Sequence, residues 1–123
     1  MNKRAYVPAR RAPAFVDPDR ARRVRRGLVT PEQAGALSET FSLLADPTRA
    51  RILHALSIEE LCVSDLAEVV GVSASNASHQ LRLLRSRRLV GVRREGKRTY
   101  YRLQDAHIES LVEMGLTHVA EDE

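Results

Sequence analysis

Ser64–Ser86, SDLAEVVGVSASNASHQLRLLRS, decides the fold of this 123-residue chain. Ser64 is placed to cap a short helix, DLAEVV, and Gly71 marks its end as the residue best suited to a left-handed C′ position. After the turn Gly71-Val72-Ser73, Ser73 caps a second helix from Ala74 to about Ser86. Ala74, Ala77, Leu81 and Leu84 recur at helical spacing and predict its buried face. Ser75, Ser78, His79 and Arg82 fall at i, i+3, i+4 and i+7 on the opposite face, with Asn76 beside them. A helix, a glycine turn and a second helix with small polar side chains outward form a helix-turn-helix pattern. Small hydroxyls allow close approach to base edges, and Arg82 and Arg85 have the reach for phosphate or guanine.

Moving toward the C-terminus, Leu89–Arg94 and Arg98–Leu103 flank Glu95-Gly96-Lys97, which predicts a β-hairpin with glycine at its tip. Arg93, Arg94, Lys97 and Arg98 would line this hairpin against a phosphate backbone. Alone, an arginine-rich hairpin reads as a soluble edge. Directly after a helix-turn-helix it reads as a wing, so the expected fold is mainly α with a β-hairpin wing, a winged helix-turn-helix.

The last nineteen residues, Asp105–Glu123, read DAHIESLVEMGLTHVAEDE. Ile108, Leu111, Val112, Gly115, Leu116 and Val119 form one apolar helical stripe. Asp105 and His107 open this helix, and His118 and Glu121 close it. Carboxylates and imidazoles suit zinc, and four of them complete a tetrahedral shell. His107 and His118 stand about 16 Å apart along a helix axis at about 1.5 Å per residue. A zinc ion sits only about 2.0–2.1 Å from each nitrogen, so one straight helix cannot bring both ends to one ion. Two antiparallel copies can, which predicts a symmetric homodimer, formed through its terminal helices, with two equivalent intersubunit sites. Spacing alone also permits a plain dimerisation helix with polar ends.

Toward the N-terminus, Thr30-Pro31-Glu32-Gln33 has the form of a capping box with proline at N1. Ala34, Leu37, Phe41 and Leu44 then line one face of a helix. Asp46-Pro47 breaks it and caps the next, in which Ile52, Leu53 and Leu56 point inward and His54 has no evident ligand partner. Residues 30–123 thus read as one folded domain. Residues 1–29 read as a flexible basic arm, punctuated by Pro8, Pro13 and Pro18, with Asp17-Pro18 starting a short helix through Arg26. Contact with DNA phosphates, packing on the dimer and a solubilising tail all remain open for it.

Charge is strongly segregated behind a net value of +4. Residues 1–30 carry nine Arg/Lys against Asp17 and Asp19, and residues 82–102 carry nine against Glu95 alone. Residues 105–123 carry six acids and no Arg or Lys. Such one-signed blocks point to a polyanionic partner, nucleic acid above all. One cysteine excludes an intrachain disulfide, and no apolar run is long enough for a membrane span or signal segment, so the reading is cytoplasmic. No nucleophile–base pair, phosphate loop or carboxylate dyad suggests an enzyme or a small organic substrate.

With these residues in hand, the chain resembles the ArsR/SmtB family of metal-sensing winged-helix repressors. The resemblance runs from about Thr30 to Glu123 and rests on LADPTRARILHAL (Leu44–Leu56), ELCVSDLAEVVGVSASNASHQLRLLRSRRLV (Glu60–Val90) and REGKRTYYRLQDAHIESL (Arg94–Leu111). It implies a metal-free dimer that binds a palindromic operator in double-stranded DNA. It also implies that Zn(II), bound at the C-terminal helices, lowers DNA affinity and releases genes for metal efflux or sequestration. Family members sensing zinc there have D-x-H, ten residues, then H-x2-E, which Asp105, His107, His118 and Glu121 match. His118 would pass a hydrogen bond from its second ring nitrogen to a backbone carbonyl near Arg88, at the end of the reading helix. The family's DNA-reading positions carry over to Ser75, Ser78 and His79, with Ser73, Asn76 and Arg82 adjoining. A second family metal site is only half kept: Cys62 and Asp65 match its C-x2-D pattern, but residues 1–53 supply neither cysteine nor histidine. The alternatives within this reading are Co(II) or Cd(II) as the metal, or a redox signal at Cys62.

Overall fold

The computed structural model describes residues 14–121. The chain divides into two compact units, Met1–Ala34 and Gly35–Glu123, with the division falling inside a helix. Its elements are α1 (Pro18–Gly27), α2 (Pro31–Leu44), α3 (Pro47–Ile58), α4 (Val63–Val70), α5 (Ala74–Ser86), β1 (Val90–Glu95), β2 (Arg98–Leu103) and α6 (Ala106–Glu121).

Local chemistry sets most of the helix starts. Asp17 accepts from the Arg20 amide at 3.1 Å and Pro18 opens α1. Thr30 Oγ1 accepts from the Gln33 amide at 3.1 Å while Gln33 Oε1 accepts from the Thr30 amide at 2.9 Å. That reciprocal pair satisfies two amides with no intrahelical partner. Asp46 caps α3 through the Arg49 amide at 2.9 Å, and Ser73 caps α5 through the Asn76 amide at 2.9 Å.

One cap differs from the sequence expectation. Helix α4 begins at Val63, with Cys62 at the N-cap making no side-chain bond, so Ser64 lies inside the first turn. The cause is a long-range pairing: Leu61 exchanges backbone hydrogen bonds with Tyr101 at 2.8 and 3.2 Å. Those bonds hold the chain extended up to Cys62 and advance the helix start by two residues, from Asp65 to Val63. Gly71 ends α4 with φ +81°, as expected of a left-handed C′ position.

The second unit is organised around α3, α4 and α5. Ile52 and Leu53 of α3, Leu66 of α4 and Leu81 and Leu84 of α5 are fully buried together, with Leu43, Leu56, Val70, Leu89 and Val90 closing the cluster. Ala77 is buried too, but Ala74 is exposed, because the first turn of α5 projects beyond the core. Strands β1 and β2 pair antiparallel from Val90↔Leu103 to Glu95↔Arg98, joined by Gly96-Lys97, and Gly96 takes φ +62°. The Leu61–Tyr101 bridge places β2 between β1 and the segment before α4, which anchors the hairpin to the helical body. Architecture and connectivity are those of a winged helix-turn-helix.

Helix α6 packs on α3 and on β2 but buries none of its residues completely. Ile108 and Val112 rest against the core, whereas Leu116 and Val119 remain about half exposed, at 47% and 57%. With Phe41 and Leu44 of α2 and Leu53 of α3 they line an apolar cleft of about 380 Å³. The face predicted for α2 is likewise open: Leu37 and Phe41 are 50% and 49% exposed, and only Leu43 is buried.

Candidate nucleic-acid interface and metal-ligand set

Helix α5 presents Ser75, Asn76, His79 and Arg82 to solvent, with Ser78 half-buried between them. Ser73 accepts the Asn76 amide in the helix cap and keeps its O–H proton and one lone pair for a further partner. Behind this face runs a relay that the sequence reading missed. The Arg49 side chain donates to the Leu43 carbonyl at 2.8 Å and to Gln80 Oε1 at 3.3 Å. Gln80 then donates through Nε2 to Asn76 Oδ1 at 3.4 Å. Guanidinium has donors only, so Gln80 must offer its oxygen to Arg49 and its amide protons to Asn76. Asn76 Oδ1 is thereby engaged within α5, while its –NH2 has no hydrogen-bond partner among the described residues. The i,i+4 spacing of Asn76 and Gln80 was visible in the sequence; the approach of Arg49 across 31 positions was not.

Helix α5 ends in a Schellman motif: the Leu89 amide donates to the Leu84 carbonyl at 2.9 Å and the Arg88 amide to the Arg85 carbonyl at 3.0 Å. Arg88, at C′, has φ +63° and is the one non-glycine residue with positive φ among the described residues. Arg87 beside it donates to Glu39 of α2 at 2.6 Å.

The four basic residues expected on the wing separate into two groups. Arg93 donates through Nε to Glu60 at 2.8 Å and through Nη1 to Glu95 at 2.6 Å. Its guanidinium also lies 4.9 Å from the Tyr100 ring centre, the residue opposite it in the hairpin register. Glu95 first, then Glu60, holds its charged form more firmly than in an isolated arginine. Arg93 thus fastens the hairpin to the segment preceding α4, with its charge compensated. Arg94, Lys97 and Arg98 are exposed and have no carboxylate partner among the described residues. Hydrogen-bonded carboxylates at positions 60 and 95 were legible as residues, but not as the partners of one guanidinium.

The four candidate ligands lie at the two ends of α6. Asp105 caps the helix: Oδ1 accepts from the His107 and Ile108 amides at 3.0 and 3.2 Å. His107 Nδ1 lies 3.6 Å from that same oxygen, on a side chain 92% exposed. His118 and Glu121 share the last turn at i and i+3, both exposed. Among the described residues no three His, Cys, Asp or Glu side chains converge as a metal site. Ten residues of helix, 108–117, hold the two ligand pairs apart. Cys62 is buried, at 8% exposure, while Asp65 is exposed in the first turn of α4.

A family model described as bacterial regulatory protein, arsR family, matches residues 46–92, from the α3 cap to the start of the wing. Across a longer span, the chain is 45% identical over 105 residues to a transcriptional repressor SmtB homolog of Synechocystis sp., covering 85% of this chain and 80% of that protein. The chain belongs to the ArsR/SmtB family. Among solved structures it is similar to the AntR antimony-specific transcriptional repressor, with TM-score 0.70, 38% identity and coverage of 77% and 86% of the two chains. It is also similar to a homodimeric winged helix-turn-helix DNA-binding domain from Mycobacterium bovis, with TM-score 0.65, 31% identity and coverage of 78% and 90%. As a member of the ArsR/SmtB family it is a DNA-binding transcriptional regulator, not an enzyme. No helix among the described residues is long and apolar enough to cross a membrane.

Proposed function

We propose that this ArsR/SmtB protein is a metal-responsive transcriptional repressor. Its dimer docks on a palindromic operator, and Zn(II) held between two chains lowers its grip on DNA. The observation that carries the reading is the division of the ligands: Asp105 and His107 at one end of α6, His118 and Glu121 at the other, with none able to reach across. An antiparallel second copy brings complementary ends together, and the open apolar surface of Leu37, Phe41, Leu116 and Val119 supplies the area that such a partner covers.

The donors fit zinc. Two imidazoles and two carboxylates are the oxygen and nitrogen ligands that ion accepts, all four are exposed, and Asp105 keeps Oδ2 outside its capping bonds. A bound zinc ion would supply a charged cross-link between the start of one α6 and the end of the other. His118 and the turn around Arg88 offer the route by which that cross-link biases α5. On DNA, Ser75, Asn76, Ser78 and His79 read base edges from the major groove, and Arg82 adds a charged contact. Arg94, Lys97 and Arg98 hold phosphate, while Arg93 fixes the wing that carries them. Metal and DNA then oppose each other reciprocally, each weakening the other by one factor.

Co(II) and Cd(II) are the alternative metals for the same ligand set and are tested beside Zn(II). Burial of Cys62 favours a packing role for that thiol over a redox trigger. The decisive experiment is an anisotropy titration of operator fragments selected from the genomic region around the gene, with the full chain and with His118→Ala. Wild type is expected to release DNA on adding Zn(II), and the variant to bind DNA without releasing it. Zinc-driven release surviving in His118→Ala refutes the four-ligand set.

A further inference from the structure

The N-terminal basic block has no role in the proposed function, and α1 gives it a specific chemistry. Asp17 and Asp19, its two acids, are spent in the first turn on Arg20 at 3.4 Å and Arg22 at 3.2 Å. Arg23, Arg25 and Arg26 follow with no carboxylate partner among the described residues. Cations in a last turn complement the helix dipole, but that effect is worth only about 0.3–1 kcal/mol and is local to the end. It does not account for three adjacent uncompensated charges, nor for Lys3, Arg4, Arg10 and Arg11 before them.

Two further observations bear on what meets this charge. At 3.6 residues per turn, Arg22, Arg23, Arg25 and Arg26 occupy one side of α1, with Ala21 and Val24 on the other. Arg25 is steadied by the Phe15 ring, 5.0 Å from its guanidinium carbon. Yet α1 is ten residues long and buries none of them. A helix below about 12–15 residues is marginal in water without packing, so its cap and two exposed ion pairs leave it poised to be stabilised by a ligand. Membrane surfaces are a poor match, because interfacial helices carry bulky Trp, Phe or Leu on the apolar side, and α1 offers only alanine and valine there. A row of phosphates matches the charge, and the guanidinium fork is the side chain suited to it.

We propose that α1 is a second DNA-contacting element, in which Arg23, Arg25 and Arg26 bind duplex phosphates in addition to the contacts of α5 and the wing. This rests on the proposed DNA-binding function. Its contribution is electrostatic and independent of base sequence, so it adds to affinity and salt dependence without adding specificity.

The test uses the full chain and a labelled mixed-sequence duplex, which needs no knowledge of the operator. Affinity is measured between about 50 and 200 mM salt for wild type, for Arg23→Gln/Arg25→Gln/Arg26→Gln, for the corresponding Arg→Lys triple, and for Arg94→Ala/Lys97→Ala. Every phosphate that a variant leaves unneutralised flattens the slope of log affinity against log salt by about 0.9, so the glutamine triple is expected to lose about 2.7 per chain. The lysine triple, which keeps the charges, is expected to retain the wild-type slope. Circular dichroism of the free proteins checks that α5 and the core are intact. An unchanged slope in the glutamine triple, with a flattened slope in the wing variant, overturns the α1 proposal and leaves the DNA-binding function standing. Absence of salt-dependent duplex binding by wild type overturns both. Loss of binding to phosphatidylserine-containing vesicles, with the duplex slope unchanged, overturns the proposal in favour of a lipid surface.

Discussion

Arg88→Gly is expected to stabilise the protein. Arg88 sits at the C′ position of α5 with φ +63°, where an L-residue places Cβ against its own backbone at a cost of roughly 1–2 kcal/mol. Glycine removes that clash but gives the unfolded chain more freedom, worth roughly 0.5–1 kcal/mol. The Arg88 side chain is exposed and makes no hydrogen bond among the described residues, so little else is sacrificed. The balance is a gain of about 0.5–1 kcal/mol, which in a domain of this size raises Tm by about 2–6 °C. The assay is denaturant and thermal unfolding followed by far-ultraviolet circular dichroism, at fixed protein concentration because a dimer's stability depends on it. Arg88→Ala is the control: it shortens the side chain but keeps Cβ, and should lie within about 0.5 kcal/mol of wild type. Arg88→Gly also keeps the backbone carbonyl that, under the proposed function, would pair with His118. Zinc-driven DNA release is therefore expected to persist. A glycine variant no more stable than the alanine variant refutes the strain argument.

Two other perturbations follow from the packing and the wing. Leu81→Ala removes a fully buried side chain from the centre of the α5 core face and should cost about 2–5 kcal/mol, measured by urea unfolding. A loss under about 1 kcal/mol would mean that the recognition helix is not seated on this core. Arg93→Ala should change the salt slope of duplex binding by clearly less than the about 0.9 expected of Arg94→Ala, because Arg93 is engaged by Glu60 and Glu95. Equal flattening by the two variants would show that Arg93 touches phosphate directly.

Features governed by a few neighbouring residues were legible in the sequence. The Thr30/Gln33 box, the Asp46 and Ser73 caps, the left-handed Gly71 and the glycine at the hairpin tip each follow from chemistry confined to one turn of chain. Where long-range pairing intervened, local reading failed. Ser64 is as good a cap as Ser73, but the Leu61–Tyr101 bridge placed Cys62 at the helix boundary instead. The inward face assigned to α2 obeyed the correct period, yet Leu37 and Phe41 remain open, because periodicity identifies an apolar stripe and not what covers it. The ion pairs that set Arg93 apart from Arg94 were hidden for a related reason: Glu60 is 33 positions from its guanidinium partner. Asn76 was identified, but the engagement of its Oδ1 depended on Arg49 and Gln80. The ligand pairs of α6 were legible as residues and as helix positions, because both follow from spacing along one helix.

The placement of those pairs at opposite ends of α6 also bears on dose. A solitary chain presents an ion with two donors at most from either end, so a complete set exists only where two chains have met. Occupancy of such a set depends on the concentration of the protein as well as that of the metal. In the proposed dimer, scarcity of the chain would dismantle the sites by dissociation and raise the metal threshold, and abundance would lower it toward that of a permanent dimer. A repressor built this way reports metal relative to its own copy number.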